Sequence, residues 1–384
     1  FPMNGITSTS AHKTRPVAKT QNSVPWFWPV ELLSAVTEEE FKAFRRGFDT
    51  VAEAVKLDTE LTPKFATPNR ILLDLHTMRF RDFTPKDAPS QVPTIIDAPY
   101  AGHSSTIADY SKGQSLVETL MDAGLKRLYV TDWRSATPEM KNYDIDNYLA
   151  ELNVVVDEVG GKVNLVGLCQ GGWMSAMYAA RYPHKVASLV LAGSPIDTDA
   201  GHGPIRTMAH ELKLADFEKL VEIGGGFMRG KFMLAAWKNM HPGVQYFGKY
   251  VDLYEHIDDP EYVRKHEDFE AWYENPIDLP GRWYLQAVEE LFKENKLAKG
   301  SFVGLGKRLS LGDICCPVTL LAGESDDITT AEQVFNADKF LGTAPADIVK
   351  ILVPGGHIGL FMGSRTLKEY WPKIGEWIVR ASQA

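Results

Sequence analysis

From residue 70 onward, short apolar runs alternate with segments of helical periodicity. ILLDLHTMRFRDF reads as one or two strands, TIIDAP (94–99) as a short buried strand, and GQSLVETLMDAG as a helix ending at Gly124. RLYVTDW (127–133) predicts a strand, DIDNYLAELNVVVDEVG a helix and VNLVG a strand. GGWMSAMYAARY predicts the next helix and VASLVLAG (186–193) a further strand. This alternation implies parallel strands joined by right-handed crossovers, the doubly wound α/β class.

The rhythm breaks at SPIDTDAGHGPI. Residues 200–310 are helix-like and dense in aromatics: Phe227, Phe232, Trp237, Tyr246, Phe247, Tyr250, Tyr254, Trp272, Tyr273, Trp283 and Tyr284. Alternation resumes with PVTLLAG (317–323), a helix near 330–341, the strand DIVKILVP (347–354) and a closing helix over 366–382. A block inserted before the last sheet elements is where α/β-hydrolases carry a cap. The expected organisation is therefore a mostly parallel α/β-hydrolase core over 70–199 and 311–384, with a helical cap over 200–310. Large rings usually pack, so most of the aromatics should form the cap's own core, and fewer should line a substrate channel. Ahead of the core, residues 1–69 read as a polar arm (1–25) and a helical segment, TEEEFKAFRRGFDTVAEAVK (37–56), that opens on a Thr-x-x-Glu capping signature.

A length of 384 residues admits two or three domains, or one large α/β domain with an insertion. With 44% hydrophobic and 24% charged residues the balance is that of a soluble globular protein. A net charge of −9 argues against nucleic acid or an anionic membrane as a partner held by bulk electrostatics. No apolar run approaches the roughly 20 residues of a membrane span, and the first residues, FPMNGITSTSAHK, lack the apolar core of an intact secretion signal. The cysteines are Cys169, Cys315 and Cys316, and the adjacent pair in ICCPV fits neither a disulfide framework nor a spaced metal site. A reducing cytoplasm, no metal and no cofactor are expected.

The chemistry concentrates at Gly167-Leu168-Cys169-Gln170-Gly171, which has the spacing of a nucleophile elbow with cysteine in place of serine. It follows the strand VNLV and opens a helix. That places the thiol at a helix N-terminus, where the backbone dipoles favour a thiolate. Glycines two residues either side of the nucleophile are expected because side chains there would crowd it. The competing reading is a small buried core cysteine; the strand–turn–helix context favours the elbow.

Such a nucleophile needs a base, and the base an orienting acid, both on later strand ends in that fold's order of nucleophile, acid, histidine. LLAGESDDITTAEQ supplies Asp326 and Asp327, and VPGGHIGLF supplies His357. Asp326, first after the turn, is preferred as the acid, with Asp327 left facing solvent or capping the next helix. His202, His210, His241, His256 and His266 lie in the inserted block, and His12, His76 and His184 have no strand-end partner acid. An oxyanion hole would use the backbone N–H of Gln170 and one from Ala98-Pro99-Tyr100-Ala101-Gly102-His103, with Tyr100 first choice and Ala101 second. His103 either touches substrate or simply packs. Trp173 should pack the elbow helix against the sheet, and AGSPIDT should shape one wall of the site.

The Gly-x-Cys-x-Gly-Gly box, the acid and the final Gly-His-Ile-Gly resemble polyhydroxyalkanoate synthases and the related intracellular polyhydroxyalkanoate depolymerases, over roughly residues 70–384. GLCQGG and PGGHIGLF resemble the shorter, two-subunit synthases; DAPYAGHSSTIADY, LYVTDW, GSPIDT and GESDDITTAEQ are closer to the depolymerases. Synthases place histidine directly after the acid, where this chain has Asp327. The resemblance implies Cys169 as nucleophile, Asp326 as acid and His357 as base. It also implies a short-chain 3-hydroxyalkanoate polyester or oligoester as substrate, in the cytoplasm at the surface of storage granules, with a homo-oligomer compatible. The departure at Asp327, together with the depolymerase-like segments, makes hydrolysis the expected outcome. Transfer of 3-hydroxyacyl groups from CoA to a growing chain is the alternative, and a granule- or partner-binding protein of low activity the alternative from another class.

Overall fold

The structure is a computed structural model, and residues 62–240 and 259–383 are described. The polar arm, the helix expected over 37–56, and Tyr246, Phe247, Tyr250 and Tyr254 lie outside the described residues.

Eight strands form one sheet: β1 (Arg70–Asp74), β2 (Met78–Asp82), β3 (Thr94–Asp97), β4 (Leu128–Trp133), β5 (Val163–Leu168), β6 (Val186–Ala192), β7 (Val318–Gly323) and β8 (Ile348–Val353). Their spatial order is β1-β2-β4-β3-β5-β6-β7-β8. β1 and β2 form an antiparallel pair, β2 joins β4 antiparallel, and β4 through β8 run parallel. This is the α/β-hydrolase fold. β3, β4, β5 and β7 are buried along their whole length, as strands covered by helices on both faces should be, whereas the edge strands β1 and β8 are largely half-exposed or exposed.

The crossovers are α1 (Leu116–Asp122), whose N-cap Ser115 accepts from the Glu118 amide, α2 (Ile145–Glu158) and α3 (Gln170–Arg181). The inserted block holds α4 (Pro204–Glu211), α5 (Leu214–Ile223), α6 (Gly230–Met240), α7 (Pro260–Tyr273) and α8 (Gly281–Gln286), the last running into a π-helical turn over Ala287–Lys293. Between α5 and α8 it also contains a two-stranded ribbon, Phe227–Met228 with Leu279–Pro280, which helical periodicity did not foretell. The last described segment is a run of three short helices, Gly359–Met362, Ser364–Glu369 and α9 (Trp371–Ala381), the latter two standing where a single helix was expected over 366–382. Gly363 interrupts it in an extended conformation, packed so closely on Gly359 that no Cβ fits, and Pro372 opens the last piece.

The sheet meets α3 with almost no gap. A Cβ on Gly167 would overlap the backbone of Gly172, one on Gly171 would overlap the carbonyl oxygen of Asp97, and one on Gly172 would overlap Ser194. The flanking glycines thus let the helix close on β3 and on the end of β6. The crowding falls on backbone and on Ser194, not on the thiol as the spacing alone implied. Gly172→Ala should therefore cost on the order of 1–3 kcal/mol by overpacking, read as a lowered denaturant midpoint. Adding Ser194→Gly should restore most of that loss, and no recovery in the double variant would refute the packing account.

Candidate active site

Four parallel strands deliver the site from their C-terminal ends. β5 turns into α3 through Cys169, which adopts φ 51°, ψ −114°, a left-handed conformation that a residue with a Cβ takes only when its surroundings enforce it. Its amide donates to the Ala192 carbonyl at 2.8 Å, and its own carbonyl accepts from Gly172 at 2.9 Å. Cys169 is buried, at 6% exposure, with the thiol at the start of a twelve-residue helix.

His357, on the loop after β8, and Asp326, on the loop after β7, form a buried pair with Nδ1 2.7 Å from Oδ2. The other carboxylate oxygen of Asp326 accepts from the amides of Ile328 and Thr329 at 3.0 and 2.9 Å, which fixes the carboxylate in place. Asp327 is exposed, so it is Asp326 that the structure joins to the histidine. His357 and Cys169 line the same small cavity. Burial disfavours the charged form of His357, but the Asp326 carboxylate and the Cys169 sulfur outweigh that and hold the imidazole well above its ordinary range. The arrangement orders three groups: an acid that orients a base, and a base that touches a thiol.

Gln170 is buried, and its amide is the first of α3, so no helical carbonyl lies behind it to accept. The loop after β3 passes over this helix start. Its Ala98 amide donates to Thr131 Oγ1 at 3.0 Å, and its Ala98 carbonyl accepts from Trp133 Nε1 at 2.8 Å. The Tyr100 ring points into the core, packing on Tyr148, Trp283 and Trp133 with its hydroxyl bonded to that of Tyr148.

A cavity of about 30 Å³ adjoins the thiol, close to the volume of a single water. Cys169 and His357 line it with Pro99, Ala101, His103, Ser104, Ile107, Trp272, Ile358 and Phe361, and its walls are almost wholly apolar. His103 is buried there. Its Nε2–H donates to the Tyr273 carbonyl at 3.0 Å, and its ring lies 4.6 Å from that of Trp272. Desolvation pushes its pKa down to about 4, so the ring is neutral at physiological pH. It therefore packs and also borders the site. Trp272 brings the inserted block over the thiol, tied down by its Nε1–H to the Ser104 carbonyl at 2.9 Å. Trp173, expected against the sheet, has Trp283 of that block as its ring partner at 5.7 Å. Ser194 of the AGSPIDT stretch presses on Gly172 and is not among the cavity's walls. Phe227, Trp272, Tyr273, Trp283 and Tyr284 are all buried, and of these Trp272 lines the cavity.

Sequence reasoning passed over Ile107 and Phe361, which carry no local signal of a wall position, and Asp97, which did carry one: a carboxylate closing an otherwise apolar strand, TIID. Among the described residues no group of three or more His, Cys, Asp or Glu is placed to hold a metal ion, and no helix is long and apolar enough to cross a membrane.

A family model described as "Protein of unknown function (DUF3141)" matches residues 65–366. The "Poly(3-hydroxyalkanoate) polymerase subunit PhaC" of Haloferax mediterranei is 27% identical over 330 residues, which is 83% of this chain and 65% of that protein. The protein of the same name from Allochromatium vinosum is 27% identical over 362 residues, 91% of this chain and 99% of its own. The chain is thus similar to polyhydroxyalkanoate polymerases over most of its length, while spanning just under two thirds of the Haloferax protein. The crystal structure of the Paleococcus ferrophilus monoacylglycerol lipase superposes with a TM-score of 0.49 at 19% identity, over 76% of this chain and 96% of the lipase.

The pairing of Asp326 with His357 makes a directional prediction. Asp326→Asn removes the carboxylate that raises His357, so the midpoint of the His357 ring titration, followed by NMR, should fall. Asp327→Asn should leave it in place. Equal shifts in the two variants would reverse the assignment of the acid.

Proposed function

The chain belongs to the family described as "Protein of unknown function (DUF3141)", and we propose that it is a thiol-dependent acyltransferase that moves 3-hydroxyacyl groups through Cys169 onto a hydroxyl acceptor. The observation that carries this reading is the buried Asp326–His357 pair with its imidazole beside Cys169, on one small cavity at the start of the elbow helix.

His357 Nδ1 faces Asp326, which leaves Nε2 for the thiol. The proton of the pair rests on His357 as the Cys169 sulfur attacks the acyl carbonyl, and the amides of Gln170 and Tyr100 receive the oxyanion. Collapse expels the donor's thiolate, which takes the proton from His357, and an acyl thioester stays on Cys169. The acceptor O–H then gives its proton to His357 as its oxygen attacks the thioester, and Cys169 leaves as thiolate.

Water and a hydroxyacyl chain end would both complete that cycle. Two points support the chain end. The walls of the space beside the thiol are almost wholly apolar, with Trp272 among them, so they offer few groups to hold a hydrolytic water. The curated relatives that match most of the chain carry the polymerase name. The feature that favoured water, Asp327 in place of histidine, is an exposed side chain, apart from the acid that pairs with His357. A 3-hydroxyalkanoate polyester, and a place at the surface of storage granules, follow from the same relatives as part of this proposal.

The test is direct. Purified protein given 3-hydroxybutyryl-CoA should release free CoA and lengthen polymer, while amorphous poly(3-hydroxybutyrate) alone should yield little soluble hydroxy acid. The reverse pattern would replace transfer by hydrolysis, and silence in both with granule binding kept would replace catalysis by binding. Cys169→Ala should abolish the acyl-enzyme and lower turnover by at least about a thousandfold; residual turnover within about tenfold of wild type would end the thiol mechanism.

A further inference from the structure

Asp97, the last residue of β3, is fully buried and takes no part in the chemistry above. Its side chain nevertheless joins the two segments that carry the amides proposed above to receive the acyl oxygen. Oδ2 lies 2.9 Å from Ser175 Oγ on α3, the helix that begins with Gln170. Oδ1 lies 3.3 Å from Thr131 Oγ1 on β4, and that same hydroxyl oxygen accepts from the Ala98 amide at 3.0 Å, two residues before Tyr100. The Asp97 backbone meets the elbow as well, since its carbonyl oxygen is what forbids a Cβ on Gly171. The carboxyl group thus sits at the junction of the elbow helix, the central sheet and the loop after β3.

Its partners are two hydroxyls and no cation. β5, which pairs with Asp97 through Gly167, carries no ionisable side chain. On β4 the ionisable groups are Tyr129 and Asp132; on α3 they are Tyr178 and Arg181, with Cys169 at its start. None of these perturbs the carboxyl: burial, opposed by the bonds to Ser175 and Thr131, carries its pKa up to about 8. An unpaired buried carboxylate would cost several kcal/mol, and the group avoids that by keeping its proton.

We propose that Asp97 is a positioning residue which, as a neutral carboxylic acid, braces α3 against the loop after β3 and so sets the spacing of the Gln170 and Tyr100 amides around the acyl oxygen. The inference rests on the acyl-transfer reading of the site. Ionisation would place a negative charge directly behind the oxyanion and oppose its formation.

The experiment follows acylation of Cys169 by p-nitrophenyl butyrate, read by intact mass, in wild type, Asp97→Asn and Asp97→Leu. Asp97→Asn keeps the size and hydrogen-bonding capacity of a neutral carboxyl group, so its rate should stay within about threefold of wild type near pH 7. Above about pH 8 the ratio of Asp97→Asn to wild-type rate should climb by at least about threefold, because the amide cannot ionise. Taking the ratio cancels the titrations of Cys169 and His357. Asp97→Leu should acylate at least about tenfold more slowly with its half-saturating ester concentration little changed. A flat ratio across that pH range, or an Asp97→Leu rate equal to wild type, would overturn the proposal.

Melting temperature supplies a second readout that does not depend on activity. A carboxyl raised from 3.8 to about 8 binds a proton in the folded chain that the unfolded chain has already lost, so its contribution to stability declines as pH rises through that window. Asp97→Asn lacks this slope and should gain on wild type from about pH 5 to 8, then hold level. A constant difference would show that Asp97 carries no proton. Wild-type protein that fails to acylate, like Cys169→Ala, would overturn the acyl-transfer reading instead, and the melting series would still decide the state of Asp97.

Discussion

Everything in the site depends on how closely α3 lies against the sheet. The helix begins at a residue held at positive φ, and that conformation, worth roughly 1–3 kcal/mol of strain, persists only because the surroundings leave no room to relax. Gly167, Gly171 and Gly172 make the fit possible, each at a position where a methyl group would meet backbone or Ser194. With the helix so seated, Cys169 stands at its N-terminus at the end of β5, its amide fixed on Ala192 of the neighbouring strand. The thiol's position is therefore a property of the packing between α3 and strands β3, β5 and β6, not of the loop on which it sits.

The parallel sheet then does the assembling. β3, β5, β7 and β8 all end on one edge, so groups far apart in the chain converge there: the Ala98–His103 loop, Cys169, Asp326 and His357. The inserted block closes over them, and Trp272 is fixed by its hydrogen bond to Ser104 in the very loop that borders the thiol. In the resulting low-dielectric space the influence of the Asp326 carboxylate and the Cys169 sulfur on the imidazole outweighs the cost of burying its charge. His103, which lines the same cavity and hydrogen-bonds the Tyr273 carbonyl, goes the other way under desolvation and stays neutral. One environment thus sets two histidines in opposite protonation states, and only the one with a carboxylate is equipped to exchange protons with the thiol.

What was legible in the sequence is what local chemistry dictates. Uninterrupted apolar runs such as VNLVG and PVTLL can only be buried strands when helices separate them, and their order already implies a shared edge for Cys169, Asp326 and His357. The choice of Asp326 over Asp327 followed from turn position, and the structure sets His357 Nδ1 2.7 Å from Asp326 Oδ2. The illegible part is tertiary. Trp272 and Phe361 look like any other buried aromatics until the fold brings them to one cavity, and Trp173 turned toward the cap because Trp283 was there to meet it. Asp97 lay between these cases: an acid in an apolar strand announces an unusual environment, but its partners Ser175 and Thr131 are 78 and 34 residues away.

The thioester proposed on Cys169 brings these features to bear on a single issue, the choice of acceptor. An acyl thioester is reactive toward any oxygen nucleophile that arrives with a base beside it, and His357 serves water and alcohol alike. Selection must therefore come from access. A polar, roomy site would admit water at its bulk concentration, and no chain end could compete. Here Pro99, Ala101, Ile107, Trp272, Ile358 and Phe361 stand around the sulfur beside His103 and Ser104, and the exposed wall is almost wholly apolar. An apolar acyl chain that displaces water there loses little, and its terminal hydroxyl then reaches the thioester as the only oxygen nucleophile present. On the proposed reading the aromatic cap and the apolar cavity, more than Cys169, Asp326 and His357, would separate chain growth from hydrolysis.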